Sequence, residues 1–355
     1  MMQEHFTKTK AMVFPRVVLA GHGVIRKIGE VVESLRLGEK AMLVTGGKTS
    51  AIAGRTVERL LSRKSVTVNT VLTGEATQAN LDGLISRAEE FRPDMILGVG
   101  GGSKIDLAKM AARSAGAEFL SVPTSASHDG ISSPRASIVK DGKHLSLEGA
   151  TPIAIVADTR IISRAPYRML ASGCADVLSN SSALRDWEIA AKAGKEMMST
   201  TAYALSSYAS GSIMRDSGRI RRNDETSTWL AVRPIIASGL AMGVAGSSRP
   251  ASGSEHLFSH ALDAIGAGTA LHGEQCGVGA IMMTAHQGAD WKILRSSLLK
   301  LGCPTDIEGL GITGEQLVEA MLMSSSMRKE RYTVLDRKPL TRKSALMLAK
   351  KTMVL

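Results

Sequence analysis

The chain has 355 residues, 44% of them hydrophobic and 3% aromatic, with a formal net charge of +11 and a sequence pI near 9.7. That length exceeds one comfortable core and the apolar content excludes a disordered chain, so two folded domains are expected. A basic balance of this size raises a nucleic-acid partner, but so few aromatics leave little for base stacking, and the basic residues are spread, densest at Arg219-Ile220-Arg221-Arg222 and from Arg328 to Lys351; they read as solvated helix faces that also steer a small anion, and no nucleic-acid partner is expected.

Up to about residue 160, β-type runs alternate with helical patterns. Ala41–Thr45, Val66–Leu72, Asp94–Val99, Glu118–Val122 and Ile153–Ala157 read as strands, and Val24–Leu35, Thr49–Arg63, Gln78–Phe91 and Lys104–Ala115 as the helices between them. Such alternation predicts a Rossmann-like, doubly wound parallel sheet that binds ligands at the carboxyl ends of its strands. The segment Ser132–Leu147 carries Asp141-Gly142 between two apolar pairs and predicts a β-hairpin. Past Pro166 the strand signals stop and helical periodicity runs to the end. The expected organisation is therefore a dinucleotide-binding α/β domain over 1–160 and an all-α metal- and substrate-binding domain over 161–355, with the boundary between Asp158 and Pro166.

The first ten residues, MMQEHFTKTK, lack the apolar core of a signal peptide, and the longest apolar candidate, Trp229 to Gly246, is interrupted by Arg233 and Pro234, so no membrane span is expected. The cysteines are Cys174, Cys276 and Cys303 without a C-x-x-C, which argues against a disulfide framework and for a reducing, cytoplasmic setting.

Gly98 to Asp106, GVGGGSKID, follows the apolar Met95-Ile96-Leu97 and opens a helical segment. Strand, glycine turn and helix together let backbone approach a ligand closely and offer unpaired N–H groups and a positive dipole end to a pyrophosphate. The spacing is neither G-x-G-x-x-G nor a Walker loop, and a tight turn without a ligand has the same local signature.

Potential metal ligands lie on separate segments of the helical half: Asp176 in Gly173-Cys174-Ala175-Asp176, His256 and His260 in SEHLFSH, and His272 in LHGE. One carboxylate and two imidazoles suit a catalytic Zn²⁺ with an open position. His256 and His260, four apart, share a helix face. Glu255 and Glu274 flank the ligands and are candidates for orienting the imidazoles, with solvated surface charge the plain alternative. Cys174 reads as a small packed side chain.

GGGSKID at 100–106, PTSASHDGISSPRAS at 123–137, the Asp176 region, SEHLFSHALD at 254–263 and LHGEQCGVGA at 271–280 together resemble the sn-glycerol-1-phosphate dehydrogenase family. That family lies in the superfamily of glycerol dehydrogenase, iron-type alcohol dehydrogenase and 3-dehydroquinate synthase, and its archaeal enzymes set the glycerol stereochemistry of ether lipids. The resemblance implies a dehydroquinate synthase-like fold with one Zn²⁺ per chain and NAD or NADP as coenzyme. It implies that Gly100, Gly101, Gly102, Ser103, Lys104, Ile105 and Asp106 surround the cofactor pyrophosphate, with Thr124, Ser125, Ala126, Ser127 and Ser133 in further cofactor contacts. It implies Asp176, His256 and His272 as metal ligands, and Asp129, Asp176 and His260 as catalytic and substrate-binding residues.

Iron-type alcohol dehydrogenases resemble a pattern with a His one turn after the metal Asp, where this chain has Asn180, which favours a three-ligand zinc site; 3-dehydroquinate synthases usually place Glu where Asp176 stands. The end of the first clear strand, Val44-Thr45-Gly46-Gly47-Lys48-Thr49, has no carboxylate to hold a ribose diol, so use of both NAD and NADP is expected. The implied reaction is reversible reduction of dihydroxyacetone phosphate to sn-glycerol 1-phosphate, the partner being that small phosphorylated substrate, with Arg135 and Lys104 as plausible phosphate contacts and a homo-oligomer as the expected assembly. The rival readings are a glycerol dehydrogenase acting on unphosphorylated polyols, a dehydroquinate synthase-like lyase and a non-catalytic basic binding protein.

Overall fold

The computed structural model describes residues 12–355; MMQEHFTKTK lies outside the described residues. Six parallel strands form one sheet: β1 (Val17–Gly21), β2 (Lys40–Thr45), β3 (Thr67–Leu72), β4 (Met95–Gly100), β5 (Glu118–Pro123) and β8 (Ala154–Asp158), in the order β1-β8-β5-β4-β2-β3. β6 (Arg135–Lys140) and β7 (Lys143–Glu148) pair separately as an antiparallel hairpin. Its turn residues Asp141 and Gly142 both have positive φ, 51° and 72°, which matches the twist of a two-residue hairpin.

The strands are apolar on both faces because helices cover both. Leu43, Leu97, Leu120 and Val156 pack against α1 (Ile28–Leu35) and α2 (Arg55–Ser62), through Ile28, Val32, Val57 and Leu61. Met42, Val44, Ile96 and Phe119 point the other way, against α3 (Gln78–Phe91) and α4 (Gly102–Ala115). The chain after β2 crosses to β3 on one side and the chain after β4 crosses to β5 on the other. The crevice outside the carboxyl ends of β2 and β4 is thus the switch point where such sheets bind ligands.

The remainder is helical: α5 (Tyr167–Lys192), α6 (Thr200–Ile220), α7 (Glu225–Ala245), α8 (Ser254–Ala264), α9 (His272–His286), α10 (Lys292–Leu301), α11 (Gly314–Met323) and α12 (Arg342–Lys351), besides shorter turns. α7 departs from expectation, because the helix continues through both Arg233 and Pro234. By length and composition it is the one helix among the described residues that passes for a membrane span, but 61% of its apolar window is buried inside the protein, and Arg233 lies 4.7 Å over the Trp229 ring. β1 was not anticipated; it joins the sheet edge beside β8.

Candidate active site

One cavity of about 660 Å³ runs from the carboxyl ends of β2 and β4 to the helical half, lined by Gly101–Lys104 at one end and by Asp176, His256, His260 and His272 at the other. At the glycine turn, α4 begins at Gly102 with no side chain capping it, so its first N–H groups are available to an anion. Gly102 is required by crowding: a Cβ there would sit 2.1 Å from His128 Nε2.

Ser103, Lys104, Asp106, Ser125, Ser127 and Ser133 also line this cavity, whereas Gly100, Ile105, Thr124 and Ala126 do not. Gly100 and Thr124 join β4 to β5 through a 2.9 Å backbone bond, and Ile105 is buried in the core under the sheet. Asp106 accepts from Lys109 Nζ at 3.4 Å and from the Ser137 N–H at 3.1 Å. Lys109, fully buried, also donates to Gly130 O at 2.8 Å and to Arg135 O. The pair ties α4 to the loop and hairpin behind this end of the cavity.

At the other end, Asp176 projects from the middle of α5, His256 from the first turn of α8, and His272 from the first residue of α9. His256 Nε2 is 3.4 Å and His272 Nε2 3.9 Å from Asp176 Oδ1. The partners of the other ring nitrogens fix both tautomers. His256 Nδ1 lies 2.9 Å from Glu255 Oε1, a carboxylate that can only accept. His272 Nδ1 lies 3.1 Å from Ser259 Oγ, whose single proton goes to Gln275 Oε1 at 2.6 Å, so the imidazole donates. Each Nε2 is therefore the atom that faces the Asp176 carboxylate; desolvation lowers both imidazoles, but the Cys276 charge and hydrogen bonds and the Asp176 carboxylate outweigh it, so both are raised, His272 to about 9, and carry a proton there. A cation would take the place of those protons, and the donor set suits a divalent metal of the zinc type.

Glu255 thus stands where it orients an imidazole. Glu274 does not: its oxygens take Arg168 Nε at 2.7 Å, Arg168 Nη2 at 2.6 Å and the Leu271 N–H at 2.8 Å, which caps the start of α9. Cys174 is buried in the helical core, its thiol pushed well up by desolvation.

Asp129, in the turn after β5, meets this cluster directly. Its N–H donates to Asp176 Oδ2 at 3.1 Å, and its own Oδ2 accepts from Ser238 Oγ at 2.7 Å. Ser238 in turn accepts from Asn180 Nδ2 at 2.8 Å, so Asn180 serves Asp129 through a hydroxyl. The two carboxyls are driven apart in acidity. Desolvation and then the Asp176 charge push Asp129 up; desolvation acts upward on Asp176 too, but the His256 hydrogen bond and the His272 charge outweigh it and hold Asp176 down. His260, 6.3 Å from the His272 ring centroid, is kept neutral by desolvation and by its charged neighbours.

Residues 19–166 match the family model for iron-containing alcohol dehydrogenase. Glycerol-1-phosphate dehydrogenase [NAD(P)+] of Methanosarcina mazei is 48% identical, covering 92% of each chain, and that of Methanothermobacter thermautotrophicus 47% identical over 96% of this chain and 98% of its own. The chain belongs to the glycerol-1-phosphate dehydrogenase family. Among solved structures, glycerol dehydrogenase of Schizosaccharomyces pombe superposes with a TM-score of 0.80 at 22% identity, covering 98% of this chain and 91% of that one, and iron-containing alcohol dehydrogenase of Thermotoga maritima with 0.73 at 16%, covering 98% and 100%. These confirm the fold, a parallel sheet followed by an all-helical part.

Against that glycerol-1-phosphate dehydrogenase background, several residues of this member escaped sequence reasoning. Cys276, one turn after His272 on α9, has a donor atom within 4.8 Å of the Asp176, His256 and His272 donors. Desolvation raises its thiol, but the charges of His256 and His272 prevail and lower it. Its spacing of four from His272 was the available signal. Arg328 lines the cavity beside His260, and its guanidinium takes no hydrogen bond among the described residues. Glu75, after β3, also lines the cavity, at the end that holds Thr49 and Lys104. Ser238 and Lys109 offered no local signal.

Proposed function

We propose that this chain catalyses the reversible reduction of dihydroxyacetone phosphate to sn-glycerol 1-phosphate with NADH or NADPH and one Zn²⁺, and that the product supplies the glycerophosphate backbone of ether lipids. The observation that carries the reading is the convergence of Asp176, His256 and His272 in the same cavity as the glycine turn, in a chain whose relatives bear that activity in their names. Bound Zn²⁺ supplies a Lewis acid for the ketone and NAD(P)H the hydride. The residues of the chain do the rest.

Gly102, Ser103 and the N-terminus of α4 hold the pyrophosphate. Asp176, His256 and His272 hold the metal, with Glu255 and Ser259 locking the imidazoles in the ligating tautomer. Asp129, pushed up towards neutrality, keeps a proton on its carboxyl and releases it to the oxygen that accumulates negative charge. His260, neutral, donates or accepts a hydrogen bond at the substrate hydroxyls. Of the cations named from sequence, Lys104 Nζ is engaged by Gly74 O at 2.6 Å near the adenosine end, and Arg135 Nη2 by Ser146 O at 2.7 Å. Arg135 keeps a buried Nε without a hydrogen-bond partner, and with Arg328 it forms the cationic wall that takes the substrate phosphate. All three thiols are buried and free, in keeping with a cytoplasmic enzyme.

The test is oxidation of NADPH on addition of dihydroxyacetone phosphate, loss of turnover on chelation, restoration by Zn²⁺, and chiral analysis of the product. Asp176→Ala, His256→Ala and His272→Ala should each cut kcat/KM about a thousandfold or more, since Lewis-acid assistance is worth several kcal/mol at tenfold per 1.36 kcal/mol. Turnover of glycerol with none of the phosphorylated pair would overturn the substrate, and chelator-insensitive turnover the metal.

A further inference from the structure

We propose that Cys276 supplies a fourth protein donor, a thiolate, to the metal in the resting enzyme. The argument rests on the reading above of the cluster as a metal site, and goes beyond its three ligands.

Cys276 is fully buried on α9, and its spacing of four from His272 puts both side chains on one face. Its Sγ lies 3.5 Å from His272 Nε2, the nitrogen left free by the Ser259 hydrogen bond, and within 4.8 Å of the Asp176 and His256 donors. Bonds of about 2.3 Å to sulfur and 2.0–2.1 Å to nitrogen or oxygen, set at tetrahedral angles, separate donor atoms by roughly 3.3–3.6 Å. The separations here are 3.4 Å for His256 to Asp176, 3.9 Å for His272 to Asp176 and 3.5 Å for Cys276 to His272. Three of the six edges are thus within about 0.6 Å of a tetrahedron's, and the other three are no longer than 4.8 Å. Cys174 and Cys303 differ: the former is in the helical core and the latter bonds Ala171 O at 3.4 Å.

Ligation forms a metal–sulfur bond and releases the thiol proton to solvent, with no change of oxidation state. A sulfur donor also favours zinc over harder cations. Substrate then enters as a fifth donor or in exchange for the thiolate, where a three-ligand site would exchange a water.

The experiment is X-ray absorption at the zinc edge on the full-length holoenzyme in thiol-free buffer, with Co²⁺-substituted protein read in the near ultraviolet. The expected result is a sulfur scatterer at about 2.3 Å and a thiolate-to-cobalt charge-transfer band. Both should persist in a Cys174→Ala, Cys303→Ala protein, where Cys276 is the remaining thiol, and vanish in Cys276→Ser. Zinc affinity of Cys276→Ser in chelator competition should fall at least 10- to 100-fold, the range known for weaker outer contacts. Only nitrogen and oxygen scatterers in the wild type, or a sulfur shell that survives Cys276→Ser, overturns the thiolate while leaving a zinc-dependent dehydrogenase intact. Protein that binds no stoichiometric zinc overturns this proposal and the metal reading together.

Discussion

Ser238→Ala isolates the role of Asp129 without touching a ligand. Ser238, fully buried on α7, donates to Asp129 Oδ2 at 2.7 Å and accepts from Asn180 Nδ2 at 2.8 Å. The first bond favours the ionised carboxyl and so lowers its pKa against desolvation. A hydrogen bond to a charged group is worth about 1.5–3 kcal/mol, and each pKa unit about 1.36 kcal/mol, so removing the hydroxyl should raise Asp129 by roughly one to two units. A cation at the cluster pulls the absolute value down but leaves the sign of this change. The assay is kcat for dihydroxyacetone phosphate reduction against pH at saturating NADPH. The limb on which rate falls as Asp129 loses its proton should move up by about one to two pH units, and the rising limb of glycerol 1-phosphate oxidation should move with it. A uniform loss of rate with both limbs in place would show Ser238 to be structural only and would refute Asp129 as the proton donor. Stability should also drop by about 1–3 kcal/mol, because Asn180 Nδ2 is left buried without an acceptor.

Three further outcomes follow from the geometry. Arg328→Met removes the free guanidinium of the cavity wall; KM for dihydroxyacetone phosphate should rise about 10- to 100-fold, the equivalent of one charge-assisted contact, while unphosphorylated dihydroxyacetone is unaffected, and equal losses on both would remove the phosphate role. Lys109→Met leaves the buried Asp106 without its cation and should cost about 3–5 kcal/mol in urea unfolding; a change under about 1 kcal/mol would contradict the bracing role. Asp186, which accepts from the Ser254 N–H and hydroxyl and from the Val334 N–H, is pushed up to about 6 by desolvation and then by the Glu255 charge. A raised folded-state pKa means stability held below the unfolded value of 3.8 and lost as pH climbs through about 6, so wild type should lose about 2 kcal/mol relative to Asp186→Asn between pH 4 and pH 6.5. Parallel stability curves would discard that shift.

The fold was legible where local signals agree with topology. Glu118–Pro123 and Gln78–Phe91 stand within a residue of the expected elements because apolar runs and helical periods alternate cleanly there. β1 escaped because VVLAG is only five residues and, among the described residues, no helix precedes it to set up the alternation. In the cavity, Asp176, His256 and His272 could be named because each lies in a motif-like segment of its own. Ser238 and Arg328 could not: Ser238 sits 109 positions from Asp129, and only the folded helices bring such residues together. Cys276 was visible by spacing, four residues after His272, but the cysteine weighed beside the ligands was Cys174, two residues before Asp176 in sequence, which the helix turns into the core.

The join between the two halves explains why the chemistry needs both. The turn after β5 belongs to the sheet, yet its Asp129 N–H donates to the Asp176 carboxylate on α5, and Gly173 lets α5 pass so close beneath that a Cβ there would lie 2.1 Å from Ala126 O. Two carboxyls brought together by backbone cannot both ionise cheaply, so one must carry the charge and the other the proton. The imidazoles decide which. His256 and His272 surround Asp176, while Asp129 faces a serine hydroxyl, so the negative charge settles on the residue placed to ligate and the proton on the residue placed to donate. Lengthening the turn between Ser127 and Asp129 by one residue would break that division: Asp129 would lose its bond to Asp176, its carboxyl would relax towards the ordinary range, and the metal would still bind while the pH dependence of turnover collapsed. Zinc content and pH profile measured on the same variant separate the two effects, and loss of both together would mean that the turn holds the ligands and not the acid.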